Sequence, residues 1–366
     1  MKKSLLLLPL FLLLVSFDSS QKEGLYKLFE SDFKLGAAVN LAQVTGKEAG
    51  ADSLLNLHFN SITSENGLKW GPIHPRPNEY NFEFGDAFVA FGERMNAFVI
   101  GHTLVWHQQT PEWVFKDEKG NFLSREDLTQ RMEDHIAKVV GRYKGKIDSW
   151  DVVNEAFEDD GTWRKTNWYT LIGEDFIQKA FKKANEVDPG AELYYNDYNV
   201  WKPEKRKAIL KMAIQLREKG VRIDGIGMQG HYRLNSPSLE QIEQAILDIH
   251  KAGFKVSITE LDIDMLPRPS DSEGADLNIN FAESEEWNPY KVGLPKELEV
   301  QLVERYVSLF KLFQKHGDKI DRVTFWGLHD GRTWLNNWPV RGRTNYPLLF
   351  DREKKLKEGF LEAIQK

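Results

Sequence analysis

The chain has 366 residues, a formal net charge of −6 at pH 7 and no cysteine. This length suits one large α/β domain, and a hydrophobic fraction of 41% is enough to bury its core. The negative charge argues against a nucleic-acid partner, because phosphate binding needs a basic face. The lack of cysteine excludes disulfides, thiol nucleophiles, cysteine-based zinc sites and a lipid-modified cysteine anchor.

The N-terminus has the pattern of a secretory signal peptide. Two lysines precede an almost unbroken apolar run from Leu5 to Val15, which the short polar stretch Ser16–Ser20 follows. The run is too short to span a bilayer comfortably. We therefore expect residues 1–20 to be removed. Residues 21–366 would then form one secreted or periplasmic domain with no membrane partner.

Short apolar runs alternate with longer amphipathic segments along the rest of the chain. Each run is bounded by polar residues or glycine and is rich in β-branched or aromatic residues, which is typical of strands buried on both faces of a parallel sheet. The predicted strands are Phe33–Val39, Phe59–Thr63, Ala97–Leu104, Ser149–Val153, Leu193–Tyr195, Gly225–Met228, Lys255–Thr259 and Arg322–Trp326.

Helices are predicted between these strands. The segment Ser124–Tyr143 begins with a suitable N-cap, and Ser238 with Gln241 forms a capping box ahead of Ile242–Ala252. An apolar stripe along Glu297–Lys315 predicts another helix, which a glycine ends two residues later.

Eight strands with helices between them predict a (β/α)8 TIM barrel of class α/β with a single catalytic domain. A doubly wound open sheet is the alternative, but the turn after the first strand, Ala37–Val44, lacks the G-x-G-x-x-G motif of that fold. One segment, Leu266–Tyr290, is rich in acidic residues, serine, asparagine and proline and has no helical period. We interpret it as a long loop after the seventh strand, on the catalytic face.

Polar residues just beyond the carboxyl end of a barrel strand are the first catalytic candidates. The fourth strand leads through two valines into Asn154 and Glu155. A carboxyl group this close to the low-dielectric core suits a general acid. On position alone, a glutamate favoured by the dipole at the start of a helix is an equal alternative.

The seventh strand leads into three acidic residues, Glu260, Asp262 and Asp264, which share one face if the pleat continues. Like charges side by side are costly unless they are paired or functional. Glu260 follows a buried run immediately, so we interpret it as functional. For Asp264 we favour the solvated end of a strand.

Histidines follow two of the predicted strands: His102 and His107 flank the end of the third, and His231 follows the sixth. No HxH or HExxH spacing or His/Asp cluster suggests a metal site, and none is predicted. His231 is expected to orient and charge-stabilise the acids of the seventh strand, with a purely structural histidine as the alternative.

Aromatic residues are abundant, and most must belong to the core. Four tryptophans nevertheless fall at or just beyond strand ends among polar neighbours: Trp70, Trp106, Trp326 and Trp334. The C–H faces of sugars stack on exposed indole rings, so this grouping favours a carbohydrate ligand.

The sequence resembles the glycoside hydrolase family 10 endo-1,4-β-xylanases over essentially its whole mature length. The matching segments occur in the order and spacing of the family. They are Phe59–Asn66 with Lys69 and Trp70, Gly101–His107, Trp150–Phe157, Gly227–His231, Ile258–Asp262 and the pair Trp326 and Trp334.

This resemblance implies residue roles. Glu155 would be the acid/base and Glu260 the nucleophile, while Asn154 would hold the sugar 2-hydroxyl. Gln229 and His231 would bracket the nucleophile, and Asp262 would support His231. The implied sugar-binding residues are Glu65, Asn66, Lys69, His102, Trp106 and Gln109 on the non-reducing side, Trp326 and Trp334 near the scissile bond, and Tyr198 on the leaving-group side.

The implied activity is retaining hydrolysis of internal β-1,4 bonds in xylan and xylo-oligosaccharides. We expect a monomer with no cofactor or metal. A metal-dependent barrel hydrolase and a non-catalytic sugar-binding protein are alternatives, although binding alone needs neither glutamate. A relative acting on β-glucan or cellulose is the nearest alternative. Glu65 and Lys69 leave little room for a hydroxymethyl group by family analogy.

Segment 266–290 is longer and more acidic than in compact members, so it could extend a leaving-group site or cap the cleft.

Overall fold

The computed structural model describes residues 24–269 and 281–366, and within them parallel strands form one closed sheet. The strands are β1 (Lys34–Val39), β2 (Ser61–Ser64), β3 (Phe98–Val105), β4 (Ser149–Asn154), β5 (Glu192–Asp197), β6 (Gly225–Met228), β7 (His231–Arg233), β8 (Lys255–Asp264) and β9 (Ile320–Phe325). The predicted signal peptide, residues 1–20, and the part of the predicted loop at 270–280 lie outside the described residues.

Strand order shows that the sheet is a barrel. The order is β6-β5-β4-β3-β2-β1-β9-β8-β7, and β6 also pairs with β8. The extra pairing closes eight strands into a ring, and the short β7 lies outside it, paired with the end of β8. The predicted (β/α)8 barrel is therefore confirmed, and the open-sheet alternative is wrong.

Helices surround the barrel. They are α1 (Leu41–Val44), α2 (Ala51–His58), α3 (Trp70–Ile73), α4 (Glu83–Met95), α5 (Arg125–Arg142), α6 (Asn167–Ile172), α7 (Phe176–Val187), α8 (Pro203–Glu218), α9 (Leu239–Lys251), α10 (Lys296–Lys315) and α11 (Phe360–Ile364). The Ser124 side chain caps α5, and both hydrogen bonds of the Ser238–Gln241 capping box are present at α9. The local start signals in the sequence thus mark real helix starts.

Both faces of the barrel strands are buried, as the continuous apolar runs predict. Every residue of β4 is buried, and the longer helices cover the sheet with apolar stripes such as Ile242, Ala245, Ile246 and Ile249 on α9. Gly101 of β3 makes room for the indole of Trp150 on the neighbouring strand β4, because a Cβ at position 101 would lie 2.3 Å from that ring.

β8 is longer than its apolar run predicts. It continues five residues beyond the expected end at Thr259, because β7 pairs with its last three residues, 262–264. The connection from β8 to α10 contains the predicted loop, and its described end pairs Phe281 with Val340. Within the described ranges, no helix is long and apolar enough to cross a bilayer.

Candidate active site

A pocket opens where the carboxyl ends of the barrel strands meet. It is lined by Glu65, Asn66, Lys69, His102, Trp106, Asn154, Glu155, Gln229, His231, Glu260, Trp326 and Trp334. These residues come from segments far apart in the chain, yet all were candidates from the sequence. Of the predicted site residues, Asp262, Gln109 and Tyr198 do not line this pocket.

Glu155 lies directly after β4 in a left-handed backbone conformation, with φ of 58°. For a non-glycine residue such a conformation costs about 1–3 kcal/mol and persists only where the surroundings enforce it. Its Oε1 accepts hydrogen bonds from Asn154 Nδ2 at 3.0 Å and Gln229 Nε2 at 2.9 Å. Its Oε2 accepts one from Trp106 Nε1 at 3.0 Å. The carboxyl group is therefore held in one orientation.

Glu260 lies on β8 across the pocket and is 4% exposed. Its Oε1 accepts a hydrogen bond from Asn196 Nδ2 at 2.7 Å, and its Oε2 lies 3.2 Å from His231 Nε2. Burial alone would raise its pKa, but the hydrogen bond to His231 and the nearby His102 and Lys69 outweigh burial and lower the pKa. Glu260 is therefore ionised at neutral pH.

His231 is held between two carboxylates. Its Nδ1 lies 2.9 Å from Asp262 Oδ1, and Trp334 Nε1 donates to Asp262 Oδ2 at 2.7 Å. Burial would lower the pKa of His231, but Asp262 and Glu260 raise it to about 10. The imidazolium is thus a fixed positive charge facing Glu260, and Asp262 acts through it rather than in the pocket.

Asn196, at the end of β5, belongs to the site but was not predicted. Its Nδ2 lies 2.9 Å from Asn154 Oδ1 as well as 2.7 Å from Glu260 Oε1, and its Oδ1 accepts from Thr259 Oγ1. It thereby links the two sides of the pocket. Asn196 directly follows the predicted strand Leu193–Tyr195, so the strand-end criterion applied to Glu155 also points to it.

A buried lysine occupies another wall of the pocket. Lys69 Nζ donates to Asn66 Oδ1 at 2.9 Å and lies 4.8 Å from the ring centre of Trp106. Burial lowers the pKa of Lys69, against the effect of nearby Glu260 and Glu65. Burial also raises the pKa of Glu65. This wall presents polar donors and acceptors next to aromatic faces, a combination that suits sugar hydroxyls and C–H surfaces.

Two other predicted residues lie outside the pocket. Gln109 is exposed, with φ of 49°, and its carbonyl accepts from the Gly71 amide. Tyr198 is largely buried, and its hydroxyl accepts from Arg164, while Lys205 Nζ lies 3.7 Å from its ring centre. Their predicted contacts with sugar stay predictions.

Two sequence-based interpretations are wrong. Trp70 is not a platform for sugar, because it is buried in the core and stacks on His135 at a centroid distance of 3.7 Å. Asp264 is not solvated, because its side chain is fully buried and accepts from Arg268 and from Asn345 Nδ2 at 2.6 Å. These ion pairs and hydrogen bonds outweigh burial and lower the pKa of Asp264.

Comparison with known proteins identifies the family. The model of Glycosyl hydrolase family 10 matches residues 24–366. The chain belongs to this family. Among the described residues, no group of three His, Cys, Asp or Glu side chains is arranged to hold a metal ion. The family resemblance predicted from the sequence is confirmed, and the protein is a glycoside hydrolase.

The sequence of this family 10 member aligns with those of individual relatives over nearly their whole length. The chain is 43% identical over 358 residues to endo-1,4-beta-xylanase A of Xylanibacter ruminicola, covering 98% of this chain and 97% of the relative. It is 42% identical to endo-1,4-beta-xylanase of Geobacillus stearothermophilus, covering 93% and 98%. A solved GH10 endoxylanase from a sugarcane soil metagenome superposes with a TM-score of 0.90 at 47% identity, covering 93% and 99%.

Proposed function

We propose that this glycoside hydrolase is an endo-1,4-β-xylanase that cleaves internal bonds of xylan with net retention of anomeric configuration. Glu155 is the acid/base and Glu260 the nucleophile. The observation that carries this proposal is one pocket containing two buried carboxyl groups with different partners. Glu260 faces the His231 imidazole and an amide, whereas the hydrogen bonds to Glu155 come from amide and indole N–H groups.

In the first step, ionised Glu260 attacks the anomeric carbon while the bond to the leaving oxygen breaks. Protonated Glu155 gives its proton to that oxygen, and a glycosyl ester forms on Glu260. In the second step, Glu155 takes a proton from water as the water attacks the same carbon. The ester bond breaks, Glu260 is ionised again, and two inversions give net retention.

The nucleophile assignment is supported by electrostatics. His231 and Lys69 place positive charge around Glu260, and its lowered pKa keeps the attacking oxygen unprotonated. The assignment of Glu155 is supported by its fixed orientation, because the three donors to its carboxyl group hold both oxygens in place. A proton donor works only when it is aimed at the leaving oxygen.

Xylan as substrate is supported by the relatives, whose names describe endo-1,4-β-xylanases. A second support for xylan is the pocket wall, where Glu65 and Lys69 lie with Trp106. Xylose lacks the hydroxymethyl group of glucose, so a wall crowded with long charged side chains favours xylose. Xylo-oligosaccharides then bind as shorter pieces of the same chain.

The remaining parts of the proposal concern the mature protein. Residues 1–20 direct export and are removed, and residues 21–366 act as a secreted or periplasmic monomer with no cofactor. The intact mass of the exported protein and its elution volume in gel filtration test both points. A mass that retains the first residues, or the elution volume of a dimer, would contradict them.

The first experiment compares reducing-sugar release from xylan and from carboxymethylcellulose, with EDTA present in both assays. We expect rapid release from xylan, little from carboxymethylcellulose, and no loss to EDTA. Proton NMR of the first products should show the β-anomer before mutarotation. The matched control is Glu260→Gln, which should release nothing. Preference for carboxymethylcellulose, inhibition by EDTA or an α-anomer as first product would each refute a named part of the proposal.

A further inference from the structure

Behind Glu155, on the side away from the pocket, lies a buried polar chain that the mechanism does not use. The Tyr195 hydroxyl accepts a hydrogen bond from the Ala156 amide at 2.9 Å and donates to Asp197 Oδ2 at 2.6 Å. Tyr195 and Asp197 are two residues apart on β5, so their side chains point to the same side of the strand. The hydroxyl therefore connects the peptide that follows Glu155 to a buried carboxylate.

This carboxylate is itself fixed by a buried ion pair. Lys205 Nζ, from α8, lies 2.8 Å from Asp197 Oδ1, and neither side chain is exposed to solvent. The ammonium group is also 3.7 Å from the Tyr198 ring centre and 3.4 Å from Asp159 Oδ1. Burying two charges is costly and is a poor source of net stability. The ion pair between Asp197 and Lys205 instead fixes the orientation of the Asp197 carboxylate, which accepts the hydrogen bond from Tyr195.

The Glu155 backbone needs such support. Its left-handed φ of 58° is strained for a glutamate. Two hydrogen bonds from β5 hold the strained turn: Glu155 N donates to Asn196 O at 2.9 Å, and Ala156 N donates to the Tyr195 hydroxyl. Burial, together with Asp197, raises the pKa of Tyr195 well above its ordinary value, so the hydroxyl stays protonated.

We propose that Tyr195, oriented by the Asp197–Lys205 ion pair, is a positioning residue for the carboxyl group of Glu155. It does not touch the substrate and acts through the Ala156 amide, fixing the turn from which the Glu155 side chain projects. This inference rests on the proposed role of Glu155 as acid/base. Its consequence is that loss of the hydroxyl impairs proton donation more than it impairs binding.

The test is Tyr195→Phe, which removes the hydroxyl and keeps the ring. We measure kcat/KM on xylo-oligosaccharide, which needs a proton on its leaving group, and on 2,4-dinitrophenyl β-xylobioside, which does not. Misplacing a catalytic group costs up to about 100-fold, so we expect a loss of about 10- to 100-fold on the oligosaccharide, mainly in kcat. On the dinitrophenyl substrate, kcat/KM should change by less than about twofold, because general-acid assistance is not needed there.

Tyr194→Phe is the matched control. Tyr194 is equally buried on the same strand, but its hydroxyl donates to Glu192 at the start of β5, away from Glu155. This variant should keep wild-type kinetics on both substrates. An equal loss on both substrates in Tyr195→Phe, or no loss on either, would overturn the positioning role.

Glu155→Ala, measured in parallel, separates this inference from the proposed function. If Glu155→Ala spares the dinitrophenyl substrate and Tyr195→Phe does not, only the positioning role fails. If Glu155→Ala loses both substrates equally, the acid/base assignment itself fails.

A second variant covers the case in which Tyr195→Phe does not fold. Asp197→Asn combined with Lys205→Met removes both buried charges together, which avoids leaving one charge unpaired. The asparagine oxygen still accepts from Tyr195, but the ion pair that orients it is gone. We expect kcat/KM to fall on xylo-oligosaccharide and to stay nearly unchanged on the dinitrophenyl substrate, with a smaller loss than in Tyr195→Phe. A uniform loss, or unchanged kinetics, in this folded variant would contradict the proposal.

Discussion

Glu155 and Glu260 have the same side chain, and their neighbours separate their roles. Glu260 has a lowered pKa because His231, His102 and Lys69 outweigh its burial. Glu155 has three neutral N–H donors and a strained backbone. At this scale the strand-end position finds the carboxylates in the sequence. The same criterion finds His231, but it does not show which hydrogen bonds the Asn196 side chain makes across the pocket, because its partners Asn154 and Glu260 lie on other strands.

Replacing Glu155 with alanine should separate the two chemical steps. General acid catalysis contributes about 100- to 10,000-fold, so kcat/KM on xylan should fall by that order. The first step on 2,4-dinitrophenyl β-xylobioside should survive, and azide should restore turnover by replacing the water that needs a base. We expect β-xylobiosyl azide as the product, measured by NMR. Glu260→Ala is the comparison and should be inactive on both substrates, so identical behaviour of the two variants would refute the assigned roles.

At the scale of elements, β7 and the end of β8 depend on each other. β7 consists of only three residues and pairs with residues 262–264, the polar end of β8. His231 on β7 then contacts both Glu260 and Asp262 on β8. This pair of elements was missed because a three-residue strand has no recognisable period. The burial of Asp264 was missed because Asn345 and Arg343 lie about eighty residues away in the chain.

The charged contact between β7 and β8 makes stability depend on pH. The pKa of His231 is raised to about 10 from 6.5, so the native state keeps a proton that the unfolded state has lost. This stabilisation is complete below pH 6.5 and disappears as pH rises through about 10. Urea unfolding of wild type and His231→Asn should therefore show a stability difference that shrinks between pH 6.5 and 10. A difference that stays constant or grows would contradict the assigned charge.

On the scale of the whole molecule, the alternation of apolar runs and amphipathic segments predicted the barrel, and the missing G-x-G-x-x-G motif weighed against an open sheet. Each predicted strand overlaps a barrel strand, and the catalytic face follows from where strands end. The chain behind Glu155 was not predictable in this way. Lys205 lies among lysines and arginines in α8, where sequence indicates only a charged helix surface, yet its side chain is fully buried. Lys205 is buried because it pairs with Asp197 on β5. The sequence of α8 alone does not show which of its basic residues makes this contact.

Trapping the covalent intermediate tests whether Glu260 is the nucleophile. 2,4-Dinitrophenyl 2-deoxy-2-fluoro-β-xylobioside should form the ester quickly and hydrolyse it slowly, because the 2-fluorine destabilises both transition states but the leaving group helps only the first. Mass spectrometry should show one added fluoroxylobiosyl group, and peptide mapping should place it on Glu260. A label on Glu155 or another residue, or continued turnover with no label, would show that Glu260 is not the nucleophile.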